Sequence, residues 1–378
     1  MSRSMCKLAA CLCFVSVLVP FAARADSALL AEATGLGGVA MWLDSGAPGM
    51  VLVAVRGADA LIQGYGETTK GNGRVPDARS LFRIGSITKV FATEVLAGLV
   101  VEGKLKLTDP LSRYAPGGTR VPAFGGRVIT LLDLATHTAG LPREIGNVPQ
   151  DAAPLTWPSR EQRWAWLAGF QLPWPPGTTA AYSNVGFALL ADALLAAVGE
   201  DYAALLRDRL TGPLAMIDTG FMPTKEQCDR LMTGTGLGGA GPCVDTDATA
   251  GSGGLYSTGS DMARWLRHNL ADNDPTSWQT LALAHAVYRQ RQAMSAAIGF
   301  DEAGPMDGLA LGWVVMAAHD HMPMIVQKSG GGGGFMSYIA FVPGRDAGIF
   351  VVVNRVDFAM FYGLTAAANS MLASLVTR

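Results

Sequence analysis

Phe82-Arg83-Ile84-Gly85-Ser86-Ile87-Thr88-Lys89 decides how this chain of 378 residues folds. Residues 81–84 are strand-like, and Gly85 breaks the run. From Ser86 to about Glu102 the pattern turns helical, with Val90, Phe91, Val95, Leu96, Leu99 and Val100 at spacings of three to five, until Gly103 stops it. Positions i and i+3 share a helix face, so the Lys89 amine comes within reach of the Ser86 hydroxyl. A serine hydroxyl is a poor nucleophile unless a neighbour takes its proton. A helix amino terminus adds backbone N–H groups and a positive dipole end for developing negative charge. Alone the pattern is weak. Ser-x-x-Lys arises by chance about once per few hundred residues, and Ser4-Met5-Cys6-Lys7 is a second instance. A helix cap with a solvent-facing lysine accounts for it equally well.

On the amino-terminal side, 50–56 and 60–66 are β-rich runs around Gly57-Ala58-Asp59 and predict a hairpin. On the carboxyl side, 311–317, 324–329, 337–342 and 348–354 are short β runs separated by turn residues, an antiparallel meander, followed by a closing helix over about 364–376. The middle is mostly helical segments broken by Pro- and Gly-rich loops, clearest at 189–198 and 262–270, where Thr258 and Asp261 predict a capping box. The expectation is an α/β (α+β) fold. Its antiparallel sheet comes from the first and last segments (about 26–104 and 301–378), with a mostly helical inserted subdomain (about 105–300).

The first 25 residues have the layout of a secretory signal peptide: Arg3 and Lys7, an apolar run over about 8–22, and Ala23-Arg24-Ala25 before Asp26. The run is too short for a spanning helix. Leu8-Ala9-Ala10-Cys11 spells a lipoprotein-like box, but it precedes most of the apolar run instead of following it. Removal of the leader takes three basic residues and leaves 26 basic against 31 acidic, a net charge of −5. That balance excludes a basic nucleic-acid face. Only Cys228 and Cys243 remain, 15 residues apart around a Gly-rich loop. In an exported chain one disulfide is expected. Two free buried thiols are the alternative, and two thiols alone make too few ligands for a metal.

Two further motifs strengthen the reading of Ser86. Tyr182-Ser183-Asn184 ends the loop Pro-Gly-Thr-Thr-Ala-Ala before a helix. A phenol near two ammonium groups can act as general base, and Asn184 can hold a substrate amide. Lys328-Ser329-Gly330 ends a strand before the glycine run 331–334. Lys328 can attract a substrate carboxylate, Ser329 can hydrogen-bond it, and the glycines let a ligand lie along the strand edge. Each has a bland reading of its own: a turn Asn beside a packed Tyr, and a flexible glycine loop.

Ser-x-x-Lys, Tyr-x-Asn and Lys-Ser/Thr-Gly in that order resemble the signature of serine β-lactamases and penicillin-binding proteins. The Tyr form of the second motif is similar to class C β-lactamases and low-molecular-mass D,D-peptidases. The likeness extends through residues 82–89, Leu-Leu-Asp-Leu-Ala-Thr-His-Thr-Ala-Gly-Leu-Pro at 131–142, and Gly-Gly-Leu-Tyr-Ser-Thr at 253–258. Within the family the sequence most resembles AmpH-type D-alanyl-D-alanine carboxypeptidase/endopeptidases, through Tyr65-Gly66-Glu67-Thr68, residues 157–164, the Cys228/Cys243 pair and Gln327-Lys328-Ser329-Gly330 before four more glycines. One departure is Ser329 where Thr is usual, which keeps the hydroxyl. The resemblance implies a β-lactamase/transpeptidase-like fold. It also implies attack by Ser86 on a D-Ala-D-Ala bond or a β-lactam, with proton transfer shared by Lys89 and Tyr182. Backbone N–H groups of Ser86 and Gly331 would form the oxyanion hole. Asn184, Lys328, Ser329 and Gly330 would position substrate, and water would release the acyl group.

The implied ligands are peptidoglycan muropeptides and β-lactams, and the implied compartment is the periplasm. No cofactor and no metal are expected. Oligomeric state and peripheral membrane association stay open. Gly236-Leu237-Gly238-Gly239-Ala240-Gly241 mimics a dinucleotide loop but lacks a preceding strand. His319-Asp320-His321 reads as a surface turn, His137 as a residue that orders its own loop, and no Gly-x-Ser-x-Gly elbow occurs. A D,D-carboxypeptidase/endopeptidase is the leading reading, ahead of a class C β-lactamase and an esterase with the same machinery. A penicillin sensor is the non-enzymatic rival; it needs a membrane segment, and none is expected after the leader.

Overall fold

The structure is a computed structural model that describes residues 21–146, 157–199, 201–270, 275–300 and 303–377. Most of the expected leader lies outside the described residues. Helix α1 (Phe21–Glu32) begins inside its last residues, and Asp26, the expected first residue after cleavage, pairs with Arg56 at 2.7 Å.

Strands β1 (Gly49–Arg56) and β2 (Asp59–Gly66) form the expected hairpin. Arg56 faces Asp59 across a two-residue turn. Gly57 opens that turn at φ 54°, the left-handed conformation that matches the twist of the flanking strands. Strand β3 (Leu81–Arg83) leads to Ser86 and pairs with β4 (Tyr256–Thr258) in a small separate sheet. The other strands of the large sheet are β5 (Arg289–Gln290), β6 (Gly308–Leu309), β7 (Val314–Met316), β8 (Ile325–Gly332), β9 (Phe335–Val342) and β10 (Ala347–Val353). They join the hairpin in one antiparallel sheet of order β2-β1-β10-β9-β8-β7-β6-β5. Strand β1 thus inserts between β2 and the carboxyl-terminal β10, which ties the first and last segments together. The far edge strand, β5, comes from the stretch expected to be helical.

Both faces of this sheet are covered, so its central strands are apolar at nearly every position. The period of two sorts them between two cores. Val51, Val53 and Val55 of β1 join Phe350 and Val352 in a core shared with helices α3 (Thr88–Val101) and α6 (Gly259–Leu270). Met50, Leu52 and Ala54 join Ile349 and Val351 in a core shared with α1, α2 (Gly38–Ser45) and α8 (Phe358–Thr377). Helix α8 is long and apolar enough to cross a membrane by length and composition, contrary to the expectation from sequence. Its Phe361, Leu364, Ala368 and Leu372 are buried against the sheet, which accounts for its apolarity. The helical elements α4 (Leu131–Ala135) and α5 (Asn184–Val198), which stand next to the site, and α7 (Pro275–His285), which packs on α3, lie in the middle of the chain.

Two local expectations change in detail. The strand predicted over 311–317 is confined to Val314–Met316, because Gly312 turns to φ 76° and donates its N–H to Ala135 O at 2.7 Å. The capping box before α6 is half formed. Thr258 Oγ1 accepts the Asp261 N–H at 3.3 Å, while the Asp261 carboxylate serves the Asp218 N–H and the Thr219 hydroxyl.

Candidate active site

Ser86 sits in a short 3-10 turn, Gly85–Ile87, that runs directly into α3. Gly85 takes φ 52°, and a Cβ there would lie 2.6 Å from the backbone nitrogen of Gly331. At Gly330 a Cβ would meet Ile84 O at 2.1 Å. These are backbone-to-backbone approaches that only glycine permits. They bring the turn carrying Ser86 against β8. Ser337 Oγ donates to Ile84 O at 2.9 Å, and Thr88 Oγ1 donates to Gly85 O at 2.7 Å, which pins both ends of the turn.

Lys89 is completely buried, so the reading of a solvent-facing lysine is excluded. Its Nζ donates to Ser86 Oγ at 3.1 Å, to Asn184 Oδ1 at 2.6 Å and to the carbonyl of Ser252. An ammonium has three donors, and a buried one is tolerated only with partners of this kind. The expected i, i+3 contact is therefore present, and two acceptors from distant segments complete it.

Tyr182 and Asn184 are set by the residue between them. Ser183 is the N-cap of α5. Its Oγ accepts the Gly186 N–H at 2.8 Å and donates to Pro142 O at 2.6 Å. Such a cap contributes about 1 kcal/mol and fixes the backbone from which Tyr182 and Asn184 both approach Lys89. Asn184 then meets Lys89. Because Lys89 can only donate, the Asn184 oxygen faces it and the amide nitrogen points outward, where it donates to Glu144 Oε1. The Tyr182 ring lies 4.9 Å from Lys89 Nζ, 5.2 Å from Lys328 Nζ and 4.8 Å from the Arg143 guanidinium. Three cations thus surround the phenol.

His137 stacks on Tyr182 with centroids 4.4 Å apart and planes 24° apart. Its Nδ1 accepts the Ser183 N–H at 3.0 Å, and its carbonyl accepts the Ala181 N–H at 2.8 Å. Burial, with Lys89, Lys328 and Arg143 adding to it, holds its pKa well below the imidazole range. A neutral ring whose Nδ1 is already engaged is a platform for Tyr182, not a proton acceptor for Ser86. His137 has φ 57°, rare for a residue with a side chain.

Lys328, Ser329, Gly330 and Gly331 lie on β8, and the first two are buried. Lys328 Nζ donates to Ser329 O at 2.9 Å. On one side β8 pairs with β9 throughout, while on the other its pairing to β7 stops at Gln327 opposite Val314. Residues 328–332 therefore present a strand edge beside Ser86. Outside the cleft, Cys228 and Cys243 are joined in a disulfide with Cα atoms 5.8 Å apart, a normal separation. The Gly236–241 stretch lies in the loop that this bond closes. Arg83, three residues before Ser86, reaches that loop at Gly241 O and also bonds Gly333 O at 3.1 Å. His319 sits in the turn between β7 and β8.

Three participants were not anticipated from sequence: Ser252, which contributes only its carbonyl, Glu144, and the ring of His137 as a face for Tyr182. Residue type does not mark a carbonyl, and Glu144 is one exposed carboxylate in an irregular loop. The Thr-His-Thr-Ala-Gly-Leu-Pro stretch was the available signal for His137.

The sequence matches the beta-lactamase family over residues 27–369. The chain belongs to the beta-lactamase family. As a member it is a serine hydrolase with the β-lactamase fold. It is 45% identical over 332 residues to the D-alanyl-D-alanine-carboxypeptidase/endopeptidase AmpH of Escherichia coli K12, an alignment that covers 88% of this chain and 86% of that one. It is 30% identical over 298 residues to a beta-lactamase of the same organism, covering 73% of this chain and 76% of that one. Among solved structures, the beta-lactamase/D-alanine carboxypeptidase of Yersinia pestis in complex with citrate superposes with a TM-score of 0.87 at 43% identity. That match covers 93% of this chain and 99% of the other.

Proposed function

We propose that this family member is an exported serine D,D-peptidase, a D-alanyl-D-alanine carboxypeptidase/endopeptidase. It would act in the periplasm on peptidoglycan peptides through an acyl-enzyme on Ser86. The observation that carries the reading is the buried Lys89 ammonium 3.1 Å from Ser86 Oγ, tied to Asn184 and faced by Tyr182. The likeness to AmpH over most of both chains gives that cluster its substrate class.

Ser86 attacks the carbonyl, and its proton passes to the Lys89–Tyr182 pair, which enters the reaction one proton short, a state that the Lys328 ammonium and Arg143 guanidinium beside the phenol favour. The N–H groups of Ser86 and Gly331 stabilise the oxyanion. Substrate backbone lies along the open edge at 328–332, its carboxylate held by Lys328 and Ser329. The D-alanine amine leaves with a proton returned from the same pair, and water releases the acyl group. The sheet part (about 26–104 and 301–378) supplies one wall of the cleft and the middle segment the other.

The test is incubation of the mature protein with a fluorescent penicillin beside Ser86→Ala, followed by intact mass, with D-alanine release measured from a D-Ala-D-Ala peptide. A Ser86-dependent adduct that clears over minutes to hours, together with D-alanine release, is expected. Equal labelling of both proteins overturns the nucleophile assignment. Rapid consumption of drug with no trapped adduct and no D-alanine release favours the second reading, a class C-type β-lactamase, which the relationship to the Escherichia coli beta-lactamase supports.

A further inference from the structure

Among the described charges at the cleft, Lys89, Lys328 and Arg143 gather around Tyr182, and Glu144 stands on the far side of Asn184. Glu144 borders a hollow lined also by Ile145, Trp157, Asn184, Ala248 and Ser252. Arg163 reaches the same hollow, but its guanidinium is committed to Asp192, Pro158 O and Ala248 O. The cleft is therefore positive where a substrate carboxylate would lie, while Asn184 has the Lys89 ammonium on its inner side and the Glu144 carboxylate on its outer side.

The Asn184 amide nitrogen has two hydrogens. One goes to Glu144, and the second remains for the amide carbonyl on the acyl side of a substrate. Two acceptors on one nitrogen lie about 5 Å apart, so a substituent next to that carbonyl comes within contact range of the Glu144 carboxylate. We infer that Glu144 makes the site select acyl donors that carry an ammonium group beside the acyl amide over neutral or anionic ones. This rests on the acyl-enzyme reading above and adds the charge of the preferred substrate to it. Glu144 is exposed, which limits the discrimination to about two- to fivefold per charge step.

Ampicillin, benzylpenicillin and carbenicillin carry an ammonium, a hydrogen and a carboxylate at that position. Second-order acylation rates of Ser86 for the three would be measured by competition with a fluorescent penicillin, in wild type and in Glu144→Gln. Gln keeps an acceptor for Asn184 and removes only the charge. Normalised to benzylpenicillin, wild type should favour ampicillin and disfavour carbenicillin, and Glu144→Gln should compress both ratios by about two- to fivefold. Raised salt should compress the wild-type ratios alone. Unchanged ratios in a variant that still acylates overturn this inference and leave the acyl-enzyme reading standing. No Ser86 adduct in wild type and no consumption of any of the three removes that reading, and this inference with it. Paired D-Ala-D-Ala peptides with a free or acetylated lysine amine give the same comparison on a peptide.

Discussion

The two walls of the cleft are built by different means. On one side Lys328, Ser329, Gly330 and Gly331 belong to a strand inside an eight-stranded sheet. Their backbone is fixed by the β9 ladder and by contact with the nucleophile turn. On the other side Glu144, Tyr182, Asn184 and Ser252 come from separate loops and one helix start. Side-chain hydrogen bonds, one cap and the His137 stack hold them. A ladder resists displacement of any single residue, whereas a side-chain network fails when one member is removed. Under the proposed function, the groups assigned to the substrate carboxylate stand on the sheet and those assigned to proton transfer and selection stand on the loops, which would separate what must stay fixed from what can vary.

Lys89 joins the loop wall to the nucleophile helix, so its replacement is the largest test of this contrast. Lys89→Met keeps the length of the side chain and removes the charge that links Ser86, Asn184 and Ser252. Penicillin acylation should fall by about 10²–10⁴-fold. A rate within tenfold of wild type would show that the loop wall does not depend on this contact.

The corresponding test of the sheet wall is Gly85→Ala. The new Cβ meets Gly331 N at 2.6 Å with φ at 52°, so the turn and β8 must part. The cost should be about 1–3 kcal/mol of stability, read from urea unfolding, with acylation reduced as well. Gly331→Ala is the matched control for stability, because the nearest atom to its Cβ is 3.9 Å away. Equal stabilities for the two variants would mean that the close approach is not what holds this wall in place.

The same contrast explains what could be read from the chain beforehand. The sheet wall was legible because its strands are short β-rich runs bounded by turn residues, and glycine runs mark close approach. The hairpin at Gly57 and the run from Lys328 are examples. Ser86 and Lys89 were legible because a spacing of three puts them on one helix face and two further motifs set that spacing apart from chance. The loop wall was legible only where a motif names it, at Tyr182 and Asn184. Its remaining members act through a carbonyl, an exposed carboxylate and a ring face, and no local pattern encodes those. The failed strand at 311–313 has the same origin: Ala135 O, distant in sequence, claims the Gly312 N–H.

Two histidines, His137 buried and His285 half-buried, sharpen the contrast at the smallest scale. His137 belongs to the loop wall. His285, at the end of α7, packs on Trp313 and on Phe341 of β9. Burial pushes His285 down to about 4, and burial with three nearby cations holds His137 well below its ordinary value. Both are neutral in the folded protein, while the unfolded chain protonates near pH 6.5. The unfolded state thus binds more protons below that pH. Each histidine's contribution is fully present above pH 6.5 and is lost as pH falls towards its folded value. At pH 5 the loss should be about 2 kcal/mol for His285. His285→Gln should shrink the drop in unfolding free energy between pH 7 and pH 5 by that amount, and His137→Asn should shrink it in the same direction. Burial raises Asp192, Asp247 and Asp261 and works in the opposite sense, but it is common to all three proteins and cancels in the difference. If only His285→Gln flattens the profile, the loop wall already opens to water in the folded ensemble, and His137 titrates without unfolding the sheet.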